Sequence, residues 1–187
     1  LARILLADSA FMAEREADRY RRRPAEHGNR HARGFPDPLF TRVDADETIQ
    51  QFKPVGYGRA TEVLPGVTLT FRDAGHIRGS ASVWLQLEED GARSRIVFSG
   101  DVGRHDMPLH IDPEPLPLCD TLVLESTYGG RHHDPAPLEE QLRKPFGAAI
   151  RRGGTILIPA FAVARAQLVT LMLDDLMDRG ELPRIPI

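Results

Sequence analysis

The pattern of apolar and polar positions predicts two helices at the start of the chain. Residues 1–20 place apolar side chains before a run of charged ones, which is typical of a surface helix. Residues 21–38 are rich in arginine, glycine, histidine and proline and are predicted to be a loop. Asp44 followed by Glu47 is an acidic variant of a capping box and predicts a short helix through Phe52.

The period then changes from helical to two, which predicts strands. Residues 56–66 are turn-rich, and Val67, Leu69 and Phe71 then alternate with threonines, as expected of a half-buried strand. Residues 82–88 alternate in the same way, and residues 94–99 form a further apolar run. The turn sequence at residues 89–92 joins these two strands into a hairpin.

The second half of the chain mixes strands and helices. Residues 105–120 are proline-rich and without period, and residues 121–124 are predicted to be a buried strand. Residues 135–152 have helical composition, although Pro145 must kink this helix or delay its start. A strand at residues 155–158 and a helix at residues 161–179 follow. Gly180 closes that helix, and the apolar stripe predicted to face the core consists of Leu168, Leu171, Met172 and Leu176.

Three residues of types that can bind metal ions or exchange protons are predicted to meet at one edge of the sheet. Because each leg of the hairpin is about 20 Å long, the chain returns to the edge that it left. His76 follows the first predicted strand, Asp101 follows the third, and Glu125 follows the strand at residues 121–124 if that strand is parallel to its neighbour. Each alone is more often a solvated or turn-forming residue, but together they indicate a metal or acid–base site.

Composition narrows the class of protein. The chain has 187 residues, a hydrophobic fraction of 41% and a formal net charge of −3, which is typical of a soluble globular protein and excludes disorder, collagen and coiled coil. No apolar run approaches the roughly 18 residues that span a bilayer. The single cysteine, Cys119, favours a reducing compartment such as the cytoplasm. The missing initiator methionine and signal sequence favour a chain cut from a longer one.

Four sequence motifs occur in the order and at the spacing of a known family. The motifs are residues 73–81 (DAGHIRGSA), 98–104 (FSGDVGR), 124–129 (LESTYG) and 153–161 (GGTILIPAF). With them the chain resembles the β-CASP branch of the metallo-β-lactamase superfamily, which contains RNases and the endonuclease of pre-mRNA 3′-end cleavage. The resemblance implies an α/β (α+β) fold, a partial metallo-β-lactamase αββα sandwich, over residues 1–130 and the start of a β-CASP domain over residues 131–187.

The resemblance also implies roles for individual residues. His76 corresponds to a ligand of one zinc ion, and Asp101 to the carboxylate that bridges two zinc ions. Glu125 corresponds to an acidic residue that hydrogen-bonds a catalytic histidine. Arg165, Ser126 and Thr127 are candidate RNA contacts. The implied cofactor is a pair of zinc ions, and the implied partners are RNA and a possible second copy of the protein, with no membrane.

The family's main metal-binding motif, His-x-His-x-Asp-His, does not occur in the 187 residues. The chain therefore supplies two of the expected ligands, and we expect it to bind zinc weakly and to lack nuclease activity by itself. Ala164 and Leu168 also depart from the residues expected in the later motif.

Several alternatives remain open from the sequence. The parent protein is predicted to hydrolyse RNA with zinc, but a catalytically inactive scaffold, a DNA-processing nuclease or a small-molecule metallo-hydrolase of the same superfamily share parts of the pattern. The arginines in residues 15–33 indicate either a phosphate-binding patch or a solvated surface. The remaining loop histidines are interpreted as solvent-exposed: His105, His110, His132 and His133.

Overall fold

The computed structural model describes residues 1–22 and 37–187, which divide into two compact units, Leu1–Val55 and Gly56–Ile187. The first unit contains the helices α1 (Ala2–Arg22) and α2 (Arg42–Gln50), so both predicted helices are confirmed. The predicted loop is wrong at residues 21 and 22, which are helical, and residues 23–36 lie outside the described residues. None of the helices in the described part of the chain has the length and apolar character needed to cross a bilayer.

The cap of α2 differs from the predicted one. Thr41 rather than Asp44 is the N-cap residue, and its hydroxyl accepts a hydrogen bond from the Asp44 amide at 3.3 Å. Asp44 instead occupies the third helical position, where its carboxylate accepts the Thr41 amide at 2.7 Å. The Thr41 amide, followed by the Thr41 hydroxyl, which donates to the same carboxylate at 2.7 Å, lowers the pKa of Asp44. The prediction that Asp44 is the cap is wrong, because Thr41 and not Asp44 has the extended backbone of an N-cap residue.

The substitution Thr41→Ala is expected to weaken the first turn of α2. The Asp44 amide loses its acceptor, which lowers the stability of this turn by about 1 kcal/mol. A loss of that size corresponds to an approximately fivefold faster amide exchange at Asp44. Hydrogen exchange followed by NMR measures it. Thr48→Ala is the matched control, because the Thr48 hydroxyl donates to the Asp44 carbonyl and caps no amide. Equal acceleration at Asp44 in both variants would contradict the assignment of the cap.

The second unit contains one mixed sheet of five strands in the order β1-β2-β3-β4-β5. The first four strands are antiparallel neighbours, and β5 is parallel to β4. The predicted hairpin is therefore confirmed, with Leu85 of β3 facing both Leu69 and Ile96. The strands are β1 (Thr61–Leu64), β2 (Val67–Asp73), β3 (Ala81–Glu89), β4 (Ala92–Phe98) and β5 (Thr121–Val123).

Two strand predictions need correction. β1 lies within residues 56–66, which are predicted to be turns. The Pro-Gly sequence at its end indicates a turn, but the residues just before it form a short strand that pairs with β2. β5 is a strand as predicted but is exposed rather than buried, with Leu122 at 48% and Val123 at 49% exposure. It is the last strand of the sheet, and among the residues that the structure describes no further strand pairs with its outer edge.

The remaining helices pack around a small apolar core. They are α3 (Leu138–Arg151), which includes Pro145, and α4 (Arg165–Asp178). Their buried contacts come from Phe146 of α3 and from residues on and just after α4, namely Leu173, Leu176, Met177 and Leu182. The prediction that Leu171 faces the core with the rest of the apolar stripe is wrong, because its side chain is 45% exposed.

The segment before α4 also differs from its prediction. Residues 155–158 form no strand, and Leu157 is 90% exposed. The helix begins at Arg165 rather than near Phe161, because Ala164 adopts a left-handed backbone with φ of 65°. Its end is as predicted: Gly180 follows the last turn with φ of 73°, a conformation that glycine adopts without strain.

Candidate functional site

Three loops leave the sheet at the same edge. β2 and β4 are each antiparallel to β3, and β5 is parallel to β4, so the ends of β2, β4 and β5 all point the same way. In the register of the sheet, Phe98 faces both Val83 and Val123. The loops that carry His76, Asp101 and Glu125 therefore begin at one edge, as the strand pattern predicts.

Hydrogen bonds to Ser80 stabilise the loop that carries His76. The Ser80 hydroxyl accepts hydrogen bonds from the amides of His76 and Ile77 at 3.0 and 3.2 Å. The Tyr57 hydroxyl donates to the Ser80 carbonyl at 2.8 Å and fixes the loop from outside. Burial, followed by the negative charges of Asp73 and Glu114, raises the pKa of Tyr57, which keeps this hydroxyl a donor at neutral pH.

The proline-rich segment packs against the same loop. The Glu114 amide donates to the Asp73 carbonyl at 2.9 Å, and the Glu114 carboxylate forms an ion pair with Arg72 at 3.1 Å. A Cβ on Gly75 would lie 2.6 Å from the nitrogen of Pro113, so only glycine allows this approach. The sequence pattern gave this segment no role, but it supports the end of β2 next to His76.

The His76 and Asp101 loops touch through their backbones. The Gly103 amide donates to the Ala74 carbonyl at 2.7 Å. A Cβ on Gly103 would lie 1.8 Å from the carbonyl oxygen of Gly75, far closer than any side chain allows. This contact requires glycine at position 103 and places the two loops in a fixed relation.

Within this frame His76 and Asp101 face each other. The His76 Nε2 atom lies 4.0 Å from the Asp101 Oδ2 atom, and the two side chains are 31% and 77% exposed. An imidazole nitrogen and a carboxylate oxygen are both ordinary zinc ligands, and their exposure leaves room for further ligand atoms. Within residues 1–22 and 37–187 no group of three or more metal-binding side chains is assembled. The pair fits part of a zinc site.

Glu125 lies beside this pair and contacts the Asp101 loop. Its Oε1 atom accepts the Val102 amide at 3.0 Å, and its Oε2 atom accepts the Thr127 amide at 3.2 Å. The Val102 amide, then the contacts of Thr127 and the charge of His76, lower the pKa of Glu125. The carboxylate is therefore ionised at neutral pH. Each oxygen still has a lone pair for another donor.

The candidate RNA contacts differ in their positions. Ser126 and Thr127 are exposed directly after Glu125, at the same edge of the sheet. Arg165 is half-buried at the first position of α4, and no hydrogen bond or ion pair found among the described residues links it to His76, Asp101 or Glu125. The arginine-rich segment lies partly outside the described residues.

Sequence reasoning missed the buried serines of this edge. Ser99 is 1% exposed and Ser82 is 3% exposed, and the Ser82 hydroxyl donates to the Ser99 carbonyl at 2.6 Å. The Ser80 hydroxyl accepts amides three and four residues before it, whereas a serine that caps a turn precedes the amides it accepts, so no local pattern indicated this role. No local pattern indicated the role of Ser99 either, because its partners other than Gly100 lie in two distant segments, at Ser82 and at residues 123–125.

No protein-family profile matches the chain. The chain is 38% identical over 157 residues to transcription termination factor FttA of Methanothermobacter thermautotrophicus, covering 81% of this chain and 24% of that protein. It is 36% identical over 154 residues to ribonuclease TTHA0252 of Thermus thermophilus, covering 81% and 34%. For endoribonuclease YSH1 of Eremothecium gossypii the identity is 33% over 152 residues, covering 79% and 19%.

The mixed α/β fold, with an imidazole and carboxylates at one sheet edge, is of a kind found in metal-dependent hydrolases. The relatives confirm the resemblance drawn from the four motifs: the chain belongs to the β-CASP branch of the metallo-β-lactamase superfamily. It spans about a third or less of the length of these relatives.

Proposed function

We propose that this chain is part of a zinc-dependent ribonuclease that hydrolyses RNA phosphodiester bonds. The observation that carries the proposal is the convergence of His76, Asp101 and Glu125 on loops joined by direct hydrogen bonds. Relatives named ribonuclease and endoribonuclease match most of the chain and support the same reaction class.

In the proposed site, His76 and Asp101 bind metal through Nε2 and the carboxylate. Two zinc ions, when bound, activate water and stabilise charge at phosphorus. Glu125 stays ionised and accepts a hydrogen bond from a catalytic histidine supplied by another part of the protein, while its bond to Val102 holds the Asp101 loop. Ser126 and Thr127 are exposed beside it and are suited to contact phosphate oxygens.

RNA is favoured over the other substrates because two of the relatives are named ribonuclease and endoribonuclease. An inactive scaffold remains the second candidate. The presence of both His76 and Asp101 argues against it, since a protein released from catalysis has no need of a metal-ligand pair at this spacing. Contacts of Arg165 with RNA belong to the proposal as well.

The architecture of the whole protein is also proposed. We infer that the five-stranded sheet is one sheet of an αββα sandwich over residues 1–130, and that residues 131–187 begin the β-CASP domain. An RNA substrate and a single cysteine favour the cytoplasm. A homo-oligomer fits the proposal.

A chain extended to the length of the relatives tests this function. We expect it to bind about two zinc ions and to cleave a labelled single-stranded RNA, with loss of cleavage on chelation and recovery on zinc addition. Metal content by mass spectrometry and product analysis on gels provide the measurements. Cleavage that survives complete zinc removal, or an inactive but fully loaded extended chain, would overturn the proposal.

Two matched controls belong to this experiment. The 187-residue chain is expected to bind zinc weakly and to leave RNA intact, because it supplies only two ligands. Zinc near two equivalents in that chain would contradict the ligand count. A DNA strand of the same sequence, tested with the extended chain, separates an RNase from a DNA-processing nuclease.

A further inference from the structure

Ser99 occupies the junction between β4 and the Asp101 loop. It is 1% exposed and is one of the few side chains of the described residues that are entirely buried. Its backbone amide donates to the Val123 carbonyl at 2.9 Å, which continues the pairing of β4 with β5 beyond the last strand residues. A polar side chain at such a place is costly unless its hydroxyl is paired.

The Ser99 hydroxyl both donates and accepts a hydrogen bond. It donates to the Gly100 carbonyl at 2.8 Å and accepts the Glu125 amide at 2.9 Å. The Ser99 carbonyl is occupied separately by the Ser82 hydroxyl at 2.6 Å. The side chain of Ser99 therefore links the turn before Asp101 to the backbone of Glu125, and Ser82 holds the peptide from the other side.

Glu125 also binds the residue that follows Asp101. Its carboxylate accepts the Val102 amide at 3.0 Å. Hydrogen bonds between Glu125 and residues 99 and 102 thus bracket Gly100 and Asp101 at both ends. Each bond restricts the backbone on one side of Asp101, so the ring of contacts fixes the direction in which the carboxylate leaves the loop.

From this ring we propose that Ser99 is a positioning residue that holds the Asp101 and Glu125 carboxylates in register. The inference rests on the proposed function for its catalytic meaning, but the hydrogen-bonded ring exists without it. Ser99 touches neither substrate nor metal in this account; it acts through the Gly100 carbonyl and the Glu125 amide. A residue without a hydroxyl leaves both of these groups without their partner.

Amide exchange in the 187-residue chain tests the ring directly. In the wild type the Glu125 amide is expected to be protected, although β5 ends before it. In Ser99→Ala, exchange at Glu125 and Val102 is expected to rise about tenfold more than at Trp84 within β3, because a bond to a buried partner is lost. An unprotected Glu125 amide in the wild type would overturn the proposal, whether or not the alanine variant folds.

Ser82→Ala is the matched control. It removes an equally small, buried hydroxyl that bonds to Ser99 but not to Glu125. We expect it to slow folding or lower stability without the selective change at Glu125 and Val102; equal local changes in both alanine variants would show that Ser99 has no special role. Ser99→Thr keeps the hydroxyl, and a folded threonine variant with lost protection at Glu125 would also refute the proposal.

In the extended chain, Ser99→Ala is expected to lower kcat about tenfold with little change in KM, and Ser99→Thr to recover most of that loss. An unchanged kcat alongside the expected exchange pattern would show that the ring does not serve catalysis. If the extended chain has no nuclease activity at all, the proposed function fails, while the exchange results still decide the structural role of Ser99.

Discussion

Replacing Gly103 with alanine is expected to destabilise the sheet-containing unit by about 3 kcal/mol, the upper range for overpacking at a site that has no space. The new methyl group would lie 1.8 Å from the Gly75 carbonyl oxygen and 2.8 Å from the His76 amide nitrogen. Both neighbours are backbone atoms, so no side chain can turn away. The two loops must separate, which breaks the hydrogen bond between Gly103 and Ala74.

Urea denaturation followed by the fluorescence of Trp84, the single tryptophan, measures this loss in β3 at the centre of the sheet. Gly154→Ala is the matched control, because a Cβ there meets nothing within 4 Å and the backbone is not left-handed. We expect it to change stability by less than about 0.5 kcal/mol. Equal stability of both variants would show that the loops are not in backbone contact.

Changing Asp101 to alanine is expected to abolish RNA hydrolysis in the extended chain while the fold survives. Loss of a group that only orients a metal ligand costs about 10- to 100-fold, so loss of the bridging ligand that we propose Asp101 to be is expected to cost more than about 100-fold. The Asp101 side chain is 77% exposed, and its Oδ2 atom lies 4.0 Å from the His76 Nε2 atom. Little packing therefore depends on it.

Kinetics, zinc content and urea denaturation of the variant separate the two effects. Asp46→Ala, at an exposed position in α2, serves as the control for removal of one carboxylate. Full activity of Asp101→Ala with unchanged zinc content would show that Asp101 is not a metal ligand. A large loss of stability would show instead that it is structural.

The sheet edge was predictable because it depends on periodicity and length alone. Alternation in residues 67–72 and 82–88 predicts strands, and the turn at residues 89–92 predicts that β4 returns beside β3. These two facts bring the loops of His76 and Asp101 to one edge before any tertiary contact is known. The position of Glu125 needed one further assumption, the parallel pairing of β5, which the structure confirms.

Other elements depend on contacts that no local pattern reveals. Residues 155–158 have strand composition, but in the described part of the chain they pair with no strand, so propensity alone does not make a strand of them. α4 begins late because Ala164 has a left-handed backbone, which sequence does not report for alanine. The close approach of Gly103 to Gly75 was equally invisible: glycine flanking a site suggests a tight loop but not its partner.

The connectivity of the sheet also bears on how the site forms during folding. Each of the strands β1 to β4 pairs with the strand next to it in the sequence. The loops that these pairs close are short, so forming the pairs costs little chain entropy. β5 reaches β4 only after residues 99–120 have closed a long crossing. We therefore expect the pairing that brings Glu125 to Asp101 to form after the hairpins, so that the edge with His76, Asp101 and Glu125 is the last part of the sheet to be completed.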